Sequence, residues 1–363
     1  MLRQENPDFN GKIMKKKVIV GMSGGVDSSV AALLLKEQGY DVTGVTLHMW
    51  DSDSNGACGS ESPAEDAKKV AEYLGIPHYV LDFKEEFKKN VIEYFVREYK
   101  RGCTPNPCIA CNRFIKWEAL LHRALFLGAQ YIATGHYGNI SYDNGRYAIT
   151  RSASAYKDQS YVLYMLTQEE LGSTLFPLSS YEKSEIREIA MKKGLPVATK
   201  KESQDICFIP DHDYAGFIEH YTGIKSEPGN FVDTSGRILG RHRGIIHYTL
   251  GQRKGLGIAL GRPAFVVAIR PEQNEVVLGE ETDLMTSQVL VSDINYMAIP
   301  ELSGSLEVYG KLRYSQRAVP CTITAVENGM IRANFETSMR APTPGQAAVF
   351  YTGDRVACGG KIV

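Results

Sequence analysis

The chain has two textures of apolar and polar positions. From Lys16 to about Thr134, short apolar runs alternate with longer stretches in which apolar residues return every three or four positions. The short runs suit strands buried on both faces and the longer period suits amphipathic helices, so the pattern predicts a parallel sheet flanked by helices. Val18-Ile19-Val20 is the first strand, and Val30 to Leu35 lies in the helix after it. A strand then follows over Val42 to Trp50, a helix over Pro63 to Leu74 ended by Gly75 and Pro77, and a strand over His78 to Leu81. Next come helices from about Phe83 to Tyr99 and from about Phe114 to Leu127, the latter ended by Gly128, and a fourth strand over Tyr131 to Thr134. Ligands of such Rossmann-like sheets gather at the carboxyl ends of the strands. Gly21 to Ser29 and Gly135-His136-Tyr137 both fall there and should face one pocket.

Around Pro210 the texture changes. From Lys225 onward glycines and β-branched residues dominate, with runs such as Phe265 to Ile269 and Ala347 to Tyr351, which predicts short strands in two small β-rich modules bordering near Glu280 to Leu284. The fold class is therefore α/β: a Rossmann-like nucleotide domain over 1–212, a small central β-rich domain over 213–282 and a C-terminal β-barrel over 283–363.

Composition narrows the function only a little. With 363 residues, 43% of them hydrophobic, the chain has room for two or three folded domains, and a net charge of −1 gives no general attraction to nucleic acid. One segment is locally basic: Arg237, Arg241, Arg243, Arg253, Lys254, Arg262 and Arg270 occur between Thr234 and Pro271 without a single acid. That stripe fits either a phosphate-tracking surface or a solvated face whose acids sit elsewhere. No run of 18 apolar residues occurs and Met1 to Met14 has no apolar core, so a cytoplasmic protein is expected.

The first strand leads into Gly21-Met22-Ser23-Gly24-Gly25-Val26-Asp27-Ser28-Ser29 and then the helix. Paired glycines bring backbone N–H groups near a phosphate chain, serine hydroxyls add donors, and the helix start adds partial positive charge. Asp27 would repel phosphates unless a cation such as Mg2+ lay between them. No lysine follows the last glycine as a Walker A motif requires. The string SGGVDS instead resembles the PP-loop of the ATP pyrophosphatases, which adenylate a substrate oxygen and release pyrophosphate.

Seven cysteines, an odd number, point to metal-binding or catalytic thiols before disulfides. Cys108 and Cys111 form a CxxC after Pro105 and Pro107, where a following helix N-terminus is expected to favour thiolate, and Cys207 lies far along the chain but in the same domain. Two distant thiols on one domain suit a mechanism in which one sulfur carries and another releases. A CxxC with a remote third cysteine also suits a redox pair or a zinc site. Cys103 is either a spare ligand or without a role, and Cys58, Cys321 and Cys358 read as buried small hydrophobes.

The strings SGGVDSS, NPCIACN, ATGHY, KDQSY, ICFIP, GQRKGLGI and TPGQAAVFY occur in this order along nearly the whole chain. Together they resemble the tRNA-specific 2-thiouridylases, which replace the 2-oxygen of a wobble uridine with sulfur. The resemblance implies adenylation of that oxygen by ATP with Mg2+, then delivery of sulfur from a persulfide. It implies that Cys111 is the resolving nucleophile and Cys207 the persulfide carrier. It places ATP at Gly21, Met22, Ser23, Gly24, Gly25, Val26, Asp27, Ser28, Leu47 and Gly135, and tRNA at Asn106, Pro107, Cys108, Lys157, Asp158, Gln159, Arg313 and Tyr314. Many members carry Asp where this chain has Cys108, so the obvious proton-transfer group is missing. Cys108, Cys111 and Cys207 are accordingly also candidate ligands of a 4Fe–4S cluster that would deliver sulfide. The partners implied are tRNA and a sulfur-relay protein or cysteine desulfurase. Two other classes stay in view: a non-catalytic tRNA-binding protein on a retained nucleotide fold, and an ammonia-using PP-loop synthetase, which has no use for paired thiols.

Overall fold

The computed structural model describes residues 15–51, 62–154, 156–201 and 206–363. Strands β1 (Lys17–Gly21), β2 (Asp41–His48), β3 (His78–Asp82), β4 (Tyr131–Ala133), and a short strand Thr174–Leu175 at the far edge form one parallel sheet. Their spatial order is β3-β2-β1-β4 and then the Thr174–Leu175 strand, with every neighbouring pair parallel. The chain leaves β1 toward β2 on one side and later returns to add β4 on the other. The crevice between the ends of β1 and β4 is the switch point where such sheets bind ligands.

The period-2 geometry of β1 divides the two cores. Val18 and Val20 pack with α1 (Val26–Glu37) and α2 (Pro63–Leu74), while Ile19 packs with the helices over 84–100 and 107–126. The punctuation read for α2 is present: Ser62 forms a capping box with Glu65, Pro63 occupies the first turn, and Gly75 ends the helix in the left-handed region.

Two elements depart from the predicted pattern. The helix expected from Phe114 begins at Pro107, because the Asn106 side chain caps it by accepting from the N–H groups of Cys108 and Ile109. Its stretch Cys111–Ala119 is wound as a π-helix, as is Lys88–Ile92 within the helix over 84–100. The second departure is a hairpin, β5 (Asn139–Asp143) and β6 (Arg146–Thr150), that joins a different sheet.

That sheet is the C-terminal barrel. Six strands, Met285–Tyr296, Ser305–Lys311, Val319–Val326, Met330–Arg340, Ala347–Thr352 and Arg355–Ile362, close on themselves through pairing of the first with the last. Cys321 and Cys358 are buried in its apolar centre, as read; Cys58 lies outside the described residues. Between the two larger bodies a four-stranded sheet (Gly229–Asp233, Ile238–His242, Phe265–Arg270, Glu275–Gly279) packs around Phe231, Tyr248, Val266 and Val276. Among the described residues no helix is long and apolar enough to cross a membrane.

Arg146 fastens the hairpin to the barrel: its Nε donates to the Met297 carbonyl and its Nη2 to the Tyr296 carbonyl, each at 2.9 Å. Charge-assisted bonds of this kind contribute roughly 1.5–3 kcal/mol each. Arg146→Met is expected to lower the urea midpoint without changing the slope of the transition; an unchanged midpoint would show that the hairpin is held by other contacts.

Candidate active site

The loop after β1 is built to leave donors facing the switch-point crevice. Gly24 has φ +67°, and a Cβ there would stand 2.3 Å from the Pro63 carbonyl oxygen, so only glycine fits. Gly25 is the N-cap of α1 and supplies no side-chain cap, which leaves the first-turn N–H groups of the helix for an anion. Within the loop, the Ser23 N–H donates to Ser28 Oγ at 3.1 Å, and Ser28 and Ser29 hydroxyls donate to the Gly25 carbonyl at 3.2 and 2.8 Å. Gly135, after β4, presses on this loop from the far side. A Cβ at 135 would meet the Ser28 nitrogen at 2.7 Å and the Asp27 carbonyl carbon at 2.8 Å.

Asp27 points at cations. Its Oδ1 accepts from Lys183 Nζ at 2.6 Å and from the Tyr137 hydroxyl at 2.8 Å. Among the described residues no group of three His, Cys, Asp or Glu forms a metal site, so Mg2+ here would be shared between Asp27 and phosphate oxygens. Lys183 was not singled out from the sequence: it lies on a helix (Lys183–Lys192) with no motif to mark it. Lys200 supports the loop from behind, donating to the Gly24 carbonyl at 3.1 Å and pairing with Asp66. His136 is a packing residue: buried against Trp117 and Phe176, bonded to the Thr134 hydroxyl at 2.7 Å, and kept neutral by burial.

Cys111 lies at the same end of the sheet: it is only 9% exposed and its Sγ lies 3.9 Å from Met49 Sδ, just beyond β2, with Leu47 of β2 packed on the same core. Cys207 is held by its neighbours: Phe208 is buried edge-on against Phe87 and Phe95, and Ile209 is buried beside it. Cys207 and Cys108 keep exposed surface. Cys207 is close enough to Cys111 and Cys108 that, after desolvation, their charges raise its thiol further.

The expectation that a helix N-terminus favours thiolate is overturned. Desolvation pushes the Cys108, Cys111 and Cys207 thiols up and outweighs Lys116, the cation that opposes the rise at all three. Cys111 also sits past the first turn of its helix, beyond the reach of the end charge. Lys116 escaped the sequence reading. It follows Cys111 by five positions in the π-helical stretch and also acts on His136, which ties the thiols to the end of β4. The cluster alternative finds no support in the side-chain geometry. Among the described residues no group of three or more His, Cys, Asp or Glu, these thiols included, is placed to hold a metal.

The tRNA contacts implied by resemblance fall in two places. Asn106 and Pro107 form the cap and first turn of the thiol helix. In the second group, Asp158 and Gln159 already serve the fold: Asp158 accepts from Ser152 and Ser160, and Gln159 Oε1 accepts from the Tyr137 N–H. Lys157 Nζ lies 5.8 Å above the Tyr156 ring. Arg313 donates to the Ala341 carbonyl at 2.7 Å, and half-exposed Tyr314 lies under Lys311. The basic stripe is partly neutralised by acids just outside its ends: Arg237 pairs with Asp233, Arg262 with Glu280 and Arg270 with Glu275.

A glycine-built loop at a parallel-sheet switch point, with Cys111 near the same strand ends and two β domains following in the chain, defines the class: a Rossmann-like nucleotide-binding domain joined to two β modules. Three family models match in succession: a tRNA methyl transferase HUP domain over residues 16–211, a tRNA methyl transferase PRC-barrel domain over 215–280 and an aminomethyltransferase beta-barrel domain over 286–362. The tRNA-specific 2-thiouridylase MnmA of Lachnoclostridium phytofermentans is 59% identical, covering 96% of this chain and 99% of the relative. MnmA 2 of Clostridium tetani is 53% identical and MnmA of Clostridium perfringens 52%, each over 96% of this chain and 99% or 98% of the relative. The chain belongs to the tRNA-specific 2-thiouridylase family.

Two measurements check this geometry. Gly135→Ala drives a methyl into the Asp27–Ser28 backbone, and ATP affinity by calorimetry is expected to fall roughly fivefold or more, an overpacking cost of about 1–3 kcal/mol expressed at the loop; unaltered affinity would remove Gly135 from the site. Because burial raises the Cys111 thiol above its ordinary range, its alkylation rate is expected to keep climbing as pH rises past 9, and Lys116→Met should slow alkylation at pH 8. A plateau near neutral pH would contradict the raised thiol.

Proposed function

We propose that this chain is an ATP-dependent tRNA uridine 2-sulfurtransferase acting on the wobble position. The observation that supports the reading is the match to 2-thiouridylases over nearly the whole chain, with Cys111 set against Met49 just past β2, at the strand ends that also bear the phosphate loop. The target base swings out of the anticodon loop, where it is only partly stacked, and its 2-oxygen attacks the α-phosphorus of ATP, releasing pyrophosphate. The first-turn N–H groups of α1, the exposed Ser23 hydroxyl and Lys183 hold the phosphates, while the buried Ser28 and Ser29 hydroxyls brace the loop on the Gly25 carbonyl; Mg2+ shared with Asp27 would neutralise part of the phosphate charge. The oxygen is now an AMP leaving group.

Cys207 brings the sulfur as a persulfide loaded by a sulfur-relay protein or a cysteine desulfurase. In one route its terminal sulfur adds to C2 and AMP departs, after which Cys111 thiolate attacks Cys207 Sγ and frees the thiouridine. In the other, Cys111 thiolate attacks Cys207 Sγ first and expels hydrosulfide, which adds to C2 and displaces AMP. Both leave one Cys111–Cys207 disulfide per turnover, reduced by an external dithiol. Lys116 is the cation placed to favour thiolate in this otherwise unfavourable setting. Cys108 stands beside the pair and takes the place of the carboxyl group expected there. With tRNA as substrate, the cytoplasm is the compartment.

Cys207→Ser and Cys111→Ser are each expected to abolish 2-thiouridine, read by nucleoside mass spectrometry, while tRNA-dependent pyrophosphate release persists. Thiolation that survives Cys207→Ser would refute the carrier role. Pyrophosphate release lost together with the thiol would mean that adenylation and sulfur transfer are not separate steps.

A further inference from the structure

Thr104 stands four residues before Cys108, and the C-terminal barrel holds both of its backbone groups. Its N–H donates to the Pro344 carbonyl at 2.8 Å, and its carbonyl accepts from Gln346 Nε2 at 2.6 Å. Between these two contacts Gly345 runs at φ +90°, and a Cβ there would stand 3.0 Å from Cys103 Cβ and 3.1 Å from the Thr104 nitrogen. Conformation and space thus both demand glycine. The turn is locked to the barrel's last strand: the Gly345 N–H donates to the Ile362 carbonyl at 2.9 Å, and the Ile362 N–H donates to the Gln346 carbonyl at 2.8 Å.

Position passes from this turn to the thiols with little freedom. Pro105 and Pro107 are buried with restricted φ, the residues before them are biased to extended backbone, and Asn106 caps the helix that carries Cys108 and Cys111. A barrel that served RNA binding alone would have no need to grip Thr104 from both sides.

We propose that Gly345 and Gln346 are positioning residues for the loop from Thr104 to Cys108, so that the C-terminal barrel completes the sulfur-transfer site. The inference deepens the function proposed above and rests on it for its activity arm. Gln346→Met keeps the side-chain length and removes the amide donor; Gly345→Val is the stronger perturbation. In the full-length free protein, iodoacetamide labelling of buried Cys111, followed by mass spectrometry, is expected to quicken roughly five- to tenfold in Gln346→Met, the factor set by the loss of one hydrogen bond. Single-turnover sulfur transfer should slow by a similar factor with KM for ATP unchanged.

Labelling at the unaltered rate in both variants overturns the proposal, whatever the activity. Labelling of Cys321 and Cys358 that quickens as much as that of Cys111 also overturns it, since this reports general loosening of the barrel. Failure of the unsubstituted protein to make 2-thiouridine would sink the functional reading while the labelling comparison still decides this one.

Discussion

Two missing side chains let the phosphate loop take its shape. Gly24 turns through the left-handed region with the Pro63 carbonyl where a Cβ would be, and Gly135 brings the end of β4 directly onto the Asp27–Ser28 backbone. The loop is thereby clamped between the N-terminus of α2 and the fourth strand before any nucleotide arrives. A preformed set of donors loses little entropy on binding, which is what an adenylation site needs if it is to stabilise charge that develops only in the transition state. Asp27, Lys183 and Tyr137 are already joined, so a cation–carboxylate balance exists at the place where phosphates and Mg2+ would redistribute it.

The thiols pose the opposite problem. Burial holds Cys111 in its neutral, unreactive form, and the other two thiols are raised with it. Under the proposed mechanism, this setting keeps a persulfide from being spent on water or stray disulfides. Reactivity then depends on what enters the cleft, together with Lys116, the cation that acts on all three thiols among the described residues. Cys207 is positioned by the aromatic packing of Phe208 against Phe87, Phe95 and Phe217. Cys111 is positioned by the helix that Asn106 caps and the barrel steadies. The two sulfurs therefore belong to separately anchored elements, which fits the carrier and resolver roles proposed for them.

Much of the nucleotide domain was legible because its signals are local. Ser62, Pro63 and Gly75 mark α2 by capping chemistry, and the apolar runs at Val18 and Tyr131 mark β1 and β4 by periodicity. The hairpin over 139–150 pairs locally across an Asn144-Gly145 turn, a signal that the sequence does carry; what the sequence hides is its joining to the barrel at Arg355, some two hundred residues on. The helix at Pro107 was hidden because its prolines read as extended chain until the Asn106 cap is seen. In the candidate site, the glycines and cysteines announced themselves by type. Lys116, Lys183 and Lys200 did not, because a lysine's role depends on which carboxylate, carbonyl or thiol the fold brings to it. The thiol chemistry was misjudged in sign for the same reason: the helix start is visible in the sequence, and the burial that outweighs it is not.

The central claim is that the sulfurs of Cys111 and Cys207 reach each other at the nucleotide cleft, and peptide mapping of the purified protein after mild oxidation tests it most directly. The account expects one dominant bridge, Cys111 to Cys207, formed before any link involving Cys103, Cys321 or Cys358. Protein in which Cys207 bonds elsewhere, or stays free while Cys111 oxidises, would contradict it.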